Sequence, residues 1–243
     1  RGKDLNIIVL GEDHKLYQQQ IEAALETIGY CGPKTVYYTF VLLSGKGKMS
    51  TRRGDVVLLS DFMKEAKDKA EKEIKKRDKK IKGKKLEALA KAIGYGAAKL
   101  QIIKVSAEKN VTFDWEQALS FEGDTGPYVQ YTHARIKSIL RKANARPGKA
   151  DYSALDSEEE KALITLLSEF PNTAKRALDS LKPHLVATYL MALSEKFNEF
   201  YHKHPVLKSK KELRQARLML IRGVAQVLKT GLGLLGIEAP ERM

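Results

Sequence analysis

The chain has 243 residues, 43% of them apolar, which is enough for one large or two modest cores and excludes disorder throughout. Its 44 Lys and Arg against 30 Asp and Glu leave a net charge of +14 and a pI near 9.6, which calls for a polyanionic partner, nucleic acid before membrane. One cysteine, Cys31, excludes an internal disulfide and a cysteine-based zinc cluster, and the absence of a signal peptide or a bilayer-length apolar run makes the cytoplasm the expected compartment.

In chain order, residues 6–10 are a short apolar run ending at Gly11, which predicts a buried parallel strand, and residues 16–29 follow with helical spacing. Ligands of open α/β sheets bind beyond the carboxyl ends of strands, so Gly11, Glu12, Asp13 and His14 are placed to meet a nucleotide. Equally, Asp13 is a residue that caps a helix. Residues 35–43 are rich in β-branched and aromatic side chains and predict one strand, with 56–60 as a partner beside it. Lys46, Lys48, Arg52 and Arg53 then fall within a loop containing Gly45, Gly47, Ser50 and Gly54. Such a loop grips phosphates, because ammonium and guanidinium groups neutralise charge on a leaving pyrophosphate while Gly lets the backbone approach. A solvated basic turn has the same composition.

Residues 64–91 carry 13 Lys or Arg against 6 Asp or Glu, a surplus of 7 that is half of the net charge of 14. A run of this kind is a solvated helix face or, here, a phosphate-contacting path that includes Lys75 and Lys76. From residue 127 the periodicity is helical. Val129, Ile136, Ile139, Leu140 and Ala143 share one stripe, and Leu185, Tyr189, Leu193, Phe197 and Tyr201 step by four. Ser157 with Glu160, and Ser209 with Glu212, have capping-box spacing. The expected end product is an antiparallel helical bundle. Phe197 and Tyr201 are one turn apart, a spacing that suits a core as well as a stacking platform for bases. His202 and His204 flank Lys203 without an adjacent carboxylate, which reads as a basic turn, and no metal site is expected.

Three separated segments carry a family resemblance: Lys48-Met49-Ser50-Thr51-Arg52-Arg53-Gly54, the stretch Gly126-Pro127-Tyr128-Val129-Gln130-Tyr131-Thr132-His133-Ala134-Arg135, and the ending Gly236-Ile237-Glu238-Ala239-Pro240-Glu241-Arg242-Met243. Over essentially its whole length the chain resembles the C-terminal portion of arginyl-tRNA synthetases, class I enzymes whose signature loop is usually written KMSKS. Thr51 stands where that signature has its second Lys, so Arg52 or Arg53, or a Lys elsewhere, must supply the cation. The HxGH signature of the class I first half is absent, and the expectation is therefore a piece of a longer enzyme that is inactive by itself.

The resemblance implies an α/β part, the C-terminal portion of a Rossmann-like catalytic domain over residues 1–126, followed by an all-α anticodon-binding bundle over 127–243. It implies ATP, with Mg, as the activating substrate and arginine and arginine tRNA as partners, in a monomer without membrane contact. Catalytic positions would be Lys48, Met49, Ser50, Thr51, Arg52 and Arg53. Gly11, Asp13, His14 and Gln18 would face ATP. Tyr128, Tyr131, Arg135, Phe197, Tyr201 and Met243 would meet anticodon bases, with Lys75 and Lys76 along the acceptor stem. The alternatives are a non-catalytic tRNA-binding paralogue and a scaffold whose basic helices recruit partners.

Overall fold

The computed structural model describes residues 5–44, 57–144 and 148–243. It opens with a parallel β–α–β unit. Strand β1 (Ile7–Gly11) leads through one 3-10 turn into α1 (Lys15–Thr27), and the chain returns in β2 (Lys34–Tyr38), which pairs β1 in register from Ile7 opposite Lys34 to Gly11 opposite Tyr38. Parallel pairing requires such a crossover, and the apolar run and helical spacing on either side of Gly11 supply it. The strand is not buried as expected: Ile7, Ile8 and Val9 are exposed, because β1 and β2 form a two-stranded sheet among the described residues.

The segment 35–43 is two strands rather than one. After β2 the chain leaves that sheet at Thr39 and Phe40, whose backbone N–H groups donate to Ala107 O (2.9 Å) and Asn110 Oδ1 (3.3 Å). Strand β3 (Val41–Leu43) then pairs in parallel with β4 (Val111–Phe113). No strand forms at 57–60, where helix α2 (Leu59–Arg77) begins instead, while Val56 lies outside the described residues. The basic run divides at residues 78–82 into α2 and α3 (Gly83–Ile103), which pack on each other through Ala66, Ala70, Ile74, Leu86, Ala90 and Ile93. Alanines facing one another allow close helix contact, so the lysines are left on the outer sides. Phe62, Phe113 and Trp115 close this first core with ring centroids 4.7–4.9 Å apart.

Helix α4 (Trp115–Ala118), capped by Asp114, precedes α5 (Gly126–Lys142). Thr125 caps α5 by accepting the Tyr128 N–H at 3.2 Å, and Pro127 sits in its first turn, where a missing N–H costs nothing. A Cβ on Gly126 would lie 2.6 Å from the Gly96 carbonyl oxygen, so only glycine permits α5 to cross α3 this closely. That crossing joins the two parts of the molecule.

Helices α5, α6 (Glu158–Ser180), α7 (His184–Lys203) and α8 (Lys211–Leu234) enclose a second core around Leu163, Leu190, Leu193, Phe197, Ile221 and Leu228, all fully buried. Ser157 and Glu160 form the expected capping box at the start of α6. Ser209 and Glu212 do not. The Ser209 hydroxyl instead donates to Pro205 O and accepts from Arg217, leaving α8 without a side-chain cap. Arg217, in turn, pairs with buried Glu160 at 2.6 Å, tying α8 to the first turn of α6.

Candidate functional site

Positions 128, 131 and 135 of α5 lie on one helical face, three and four residues apart, and they meet α7 at Asn198. The Asn198 amide nitrogen lies within hydrogen-bond distance of Tyr128 Oη (2.8 Å), Ser194 O (2.9 Å) and Thr132 Oγ1 (3.2 Å), while its carbonyl oxygen accepts from Arg135 at 2.7 Å. Held this way, the Arg135 guanidinium lies 4.7 Å from the Tyr131 ring centre and 5.3 Å from that of Tyr201. The cation is thus fixed against two aromatic residues that both keep exposed surface, Tyr131 at 37% and Tyr201 at 38%.

Tyr131 and Arg135, though not Tyr201, line a cleft of about 570 Å³ between the bundle and the α2–α3 pair. Tyr128, Tyr131, Arg135, Asn198 and Met243 form the bundle side, and Arg77, Phe121 and Leu89 stand opposite. Arg77 lies 4.1 Å over the Phe121 ring, and Phe121 meets Tyr131 edge-on at 6.3 Å. A flat, electron-rich ligand with an attached anion suits such walls: rings stack its faces, and the two guanidinium groups attract its charge.

Phe197 is the exception among the expected base-contacting residues. It is fully buried and stacks beneath Tyr201 at 5.9 Å, so it is the floor of the platform and has no face left for a base. The cause lies in the spacing. A stripe stepping by four drifts about 40° per step, and it passes from the core at Phe197 to the surface at Tyr201.

Met243 reaches the cleft on a C-terminal segment without regular structure that is held by side chains. Gln130 donates to Glu238 O (2.7 Å), the His133 ring nitrogen Nδ1 is 2.9 Å from Pro240 O, and Arg141 donates to Glu241 O (3.0 Å). A carbonyl oxygen only accepts, so Nδ1 carries the proton. Burial pushes the His133 imidazole below its ordinary pKa, despite the opposing bond to Pro240.

At the other end of the molecule, Gly11 closes β1 and Asp13 and His14 are exposed beyond its carboxyl end. Asp13 makes no helix cap, since neither Gly11 nor His14 at the helix starts has a side-chain cap bond. Gln18 departs from the expected set. It is buried at 4% exposure, and its amide donates to Glu22 (3.1 Å), which also accepts from Thr35 (2.8 Å). Gln18 thus braces α1 against β2. Lys48, Met49, Ser50, Thr51, Arg52 and Arg53 lie outside the described residues. Lys75 and Lys76 are exposed and pair within their own helix with Glu71 and Glu73, each at 2.6 Å.

The turn after α7 does contain a carboxylate that the local sequence does not reveal. Glu159, from α6, pairs with Lys203 at 2.6 Å and His204 at 2.9 Å. No group of three or more His, Cys, Asp or Glu among the described residues is arranged to hold a metal ion.

Comparison with known proteins assigns both parts. Residues 2–115 match the family described as tRNA synthetases class I (R), catalytic domain, and residues 129–243 match the DALR anticodon binding domain. An arginine–tRNA ligase of Methanocella arvoryzae is 45% identical over 241 residues, covering 99% of this chain and 42% of the relative. The chain belongs to the arginyl-tRNA synthetase family. The solved arginyl-tRNA synthetase of Thermus thermophilus superposes with a TM-score of 0.89 at 35% identity, covering 98% of this chain and 41% of that one. The corresponding ligase of Archaeoglobus fulgidus is 41% identical, over 98% of this chain and 43% of its own length. The chain therefore spans about two fifths of the length of the curated relatives it matches.

Within this arginyl-tRNA synthetase family chain, Tyr131, Arg135, Asn198 and Met243 of the aromatic cleft fall inside the region matched by the anticodon-binding family, Tyr128 lies one residue before it, and Arg77 and Phe121 come from outside it. Sequence reasoning misses Asn198, Arg77 and Phe121. Asn198 sits one residue after Phe197 in a polar gap of the α7 stripe, the sole local sign of it, while Arg77 reads as one more member of a basic run.

Proposed function

We propose that this chain carries the signature-loop part of the catalytic domain and the tRNA-reading bundle of an arginine–tRNA ligase. In the complete enzyme the arginine carboxylate attacks the α-phosphate of ATP, pyrophosphate leaves, and the arginyl group passes from the adenylate to the terminal ribose of arginine tRNA. That chemistry rests on positioning and charge stabilisation. Lys48 and Arg52 are assigned to the triphosphate, with magnesium entering on the ATP phosphates. Gly11, Asp13 and His14, at the carboxyl end of a parallel strand, are assigned to the nucleotide side.

The aromatic cleft is assigned to an anticodon base. The observation that carries this is the Arg135 guanidinium, held by Asn198 against the partly exposed Tyr131 ring in the wall of the cleft. A base inserted there stacks on tyrosine, at roughly 1–3 kcal/mol per base, while its phosphate meets arginine. The test is binding of the chain to arginine tRNA and to the same tRNA with its anticodon bases changed, at several salt concentrations. Discrimination that persists as salt rises supports base capture; equal, steeply salt-dependent binding of both reduces the cleft to a basic RNA surface.

A further inference from the structure

The segment that follows α8 makes few backbone hydrogen bonds of its own, and its carbonyl oxygens are taken one after another by side chains. Lys99 donates to Gly236 O (2.5 Å), Gln130 to Glu238 O (2.7 Å), His133 to Pro240 O (2.9 Å) and Arg141 to Glu241 O (3.0 Å). Gln130, His133, Lys137 and Arg141 of α5 are spaced by three, four and four residues, which puts them on one face of the helix. Lys137 completes the row by pairing with the Glu241 carboxylate at 2.9 Å. The cleft residues Tyr128, Tyr131 and Arg135 stand on a different face of the same helix, so α5 carries the base platform on one side and the tail on another.

His133 and Gln130, which has no exposed surface, differ from the two cations in the row. His133 is 1% exposed, so its bond to Pro240 is shielded from water, whereas Lys137 and Arg141 reach the surface. Pro240 is itself stiff, with φ fixed by its ring. Three residues span at most about 10 Å, so a carbonyl pinned at Pro240 confines Met243 to the immediate neighbourhood of the cleft.

We propose that His133 is a positioning residue for base selection: by pinning the Pro240 carbonyl it sets where Met243 closes the aromatic cleft, although His133 itself touches no RNA. This rests on the reading of the cleft as an anticodon-base pocket. Selection there then depends on a buried histidine behind the platform as well as on the rings that face the base.

The chain with 13C-methyl methionine offers a direct test, since it has five methionines and Met243→Leu assigns the terminal one. Without RNA, His133→Leu should move the Met243 methyl resonance from a position shifted by neighbouring rings toward that of a solvated methionine. His133→Asn should retain it, because the Asn amide nitrogen occupies the place of Nδ1 and donates the same bond. Lys137→Gln, which leaves the core alone, should shift the signal the same way by a smaller amount. In tRNA binding, His133→Leu should lower discrimination between native and altered anticodons about tenfold, the equivalent of one well-made hydrogen bond, with His133→Asn near the wild type. An unmoved Met243 signal in His133→Leu overturns the proposal. So does a His133→Asn that melts like wild type yet behaves like His133→Leu. Discrimination unchanged while the signal moves also overturns it. Absence of discrimination in the wild-type chain sinks the base-pocket reading instead, and the resonance comparison still decides whether His133 pins Met243.

Discussion

Ile7, Ile8 and Val9 of β1 are 46%, 36% and 61% exposed, whereas Leu190, Leu193 and Phe197 of α7 have no exposed surface at all. The six side chains are all strongly apolar, and what separates them is the number of neighbours each geometry requires. A strand in a parallel sheet is covered only when both faces and both edges are occupied, and among the described residues β1 has one paired edge. A bundle helix needs only a stripe covered, and α7 meets α5, α6 and α8 around it. Apolar content therefore tells which residues want burial, while the topology decides which obtain it.

Substitutions at matched positions sharpen this contrast. Phe197→Ala should cost about 3–5 kcal/mol in urea denaturation, through lost burial and a cavity, while Val9→Ala should stay within about 0.5 kcal/mol. Comparable losses at both would show that β1 is covered in solution. Next in size is Glu160→Gln. Gln keeps the capping-box geometry but leaves Arg217, only 7% exposed, without its counter-charge, so a loss of about 3 kcal/mol is expected by the same measurement. Burial alone would raise the Glu160 pKa, yet the bonds from Arg217 and Ser157 outweigh it and the net shift is downward.

A smaller effect is expected on acidification. The Glu159 carboxyl is pushed down to about 2, first by the Lys203 hydrogen bond and then by that of His204. With the folded pKa depressed, this contribution is fully present above the unfolded value of about 4.5 and is lost as pH falls from there toward 2. Glu159→Gln should therefore flatten the acid limb of a stability–pH profile between those limits, and an unchanged limb would show the pair to be loose in solution. Smallest for stability is the joint replacement of Lys75, Lys76, Lys79 and Lys80 by Gln, expected within about 0.5 kcal/mol because each is solvated. Its effect belongs to RNA, where the salt slope of binding should drop by about 0.7 to 0.9 for each phosphate contact removed. An identical slope would make this face an ordinary solvated surface, as the intrahelical pairs to Glu71 and Glu73 suggest.

Much of the helical half is legible in the sequence because its instructions are local. The Ser157–Glu160 box and the stripes of α5 and α7 lie within a few residues of what they determine. Strand β4 escapes notice because three residues, Val111–Phe113, are too few to show a period, and its partner β3 lies about 70 residues earlier. The break between β2 and β3 is set by Asn110 and Ala107, again far along the chain. The same rule divides the site. Tyr128, Tyr131 and Arg135 are marked by the family resemblance of one contiguous segment, whereas Asn198, which orients Arg135, is 63 residues away and has only a polar gap in the α7 stripe as its local sign. Phe197 and Tyr201 share one stripe, and the drift of that stripe, visible only once the helix is packed, separates floor from platform.

Helix α3, at 21 residues about 30 Å long, puts Leu86, Ala90 and Ile93 into the first core and Leu100 into the second. One rigid rod is thus a structural member of both halves, and Gly126 rests on it about two thirds of the way along, at Gly96. Mechanically, the molecule is a beam seated in two bearings rather than two bodies on a string. A disturbance that tilts α3 on the side of the basic helices must reappear at the walls of the aromatic cleft, with no slack loop between them to absorb it.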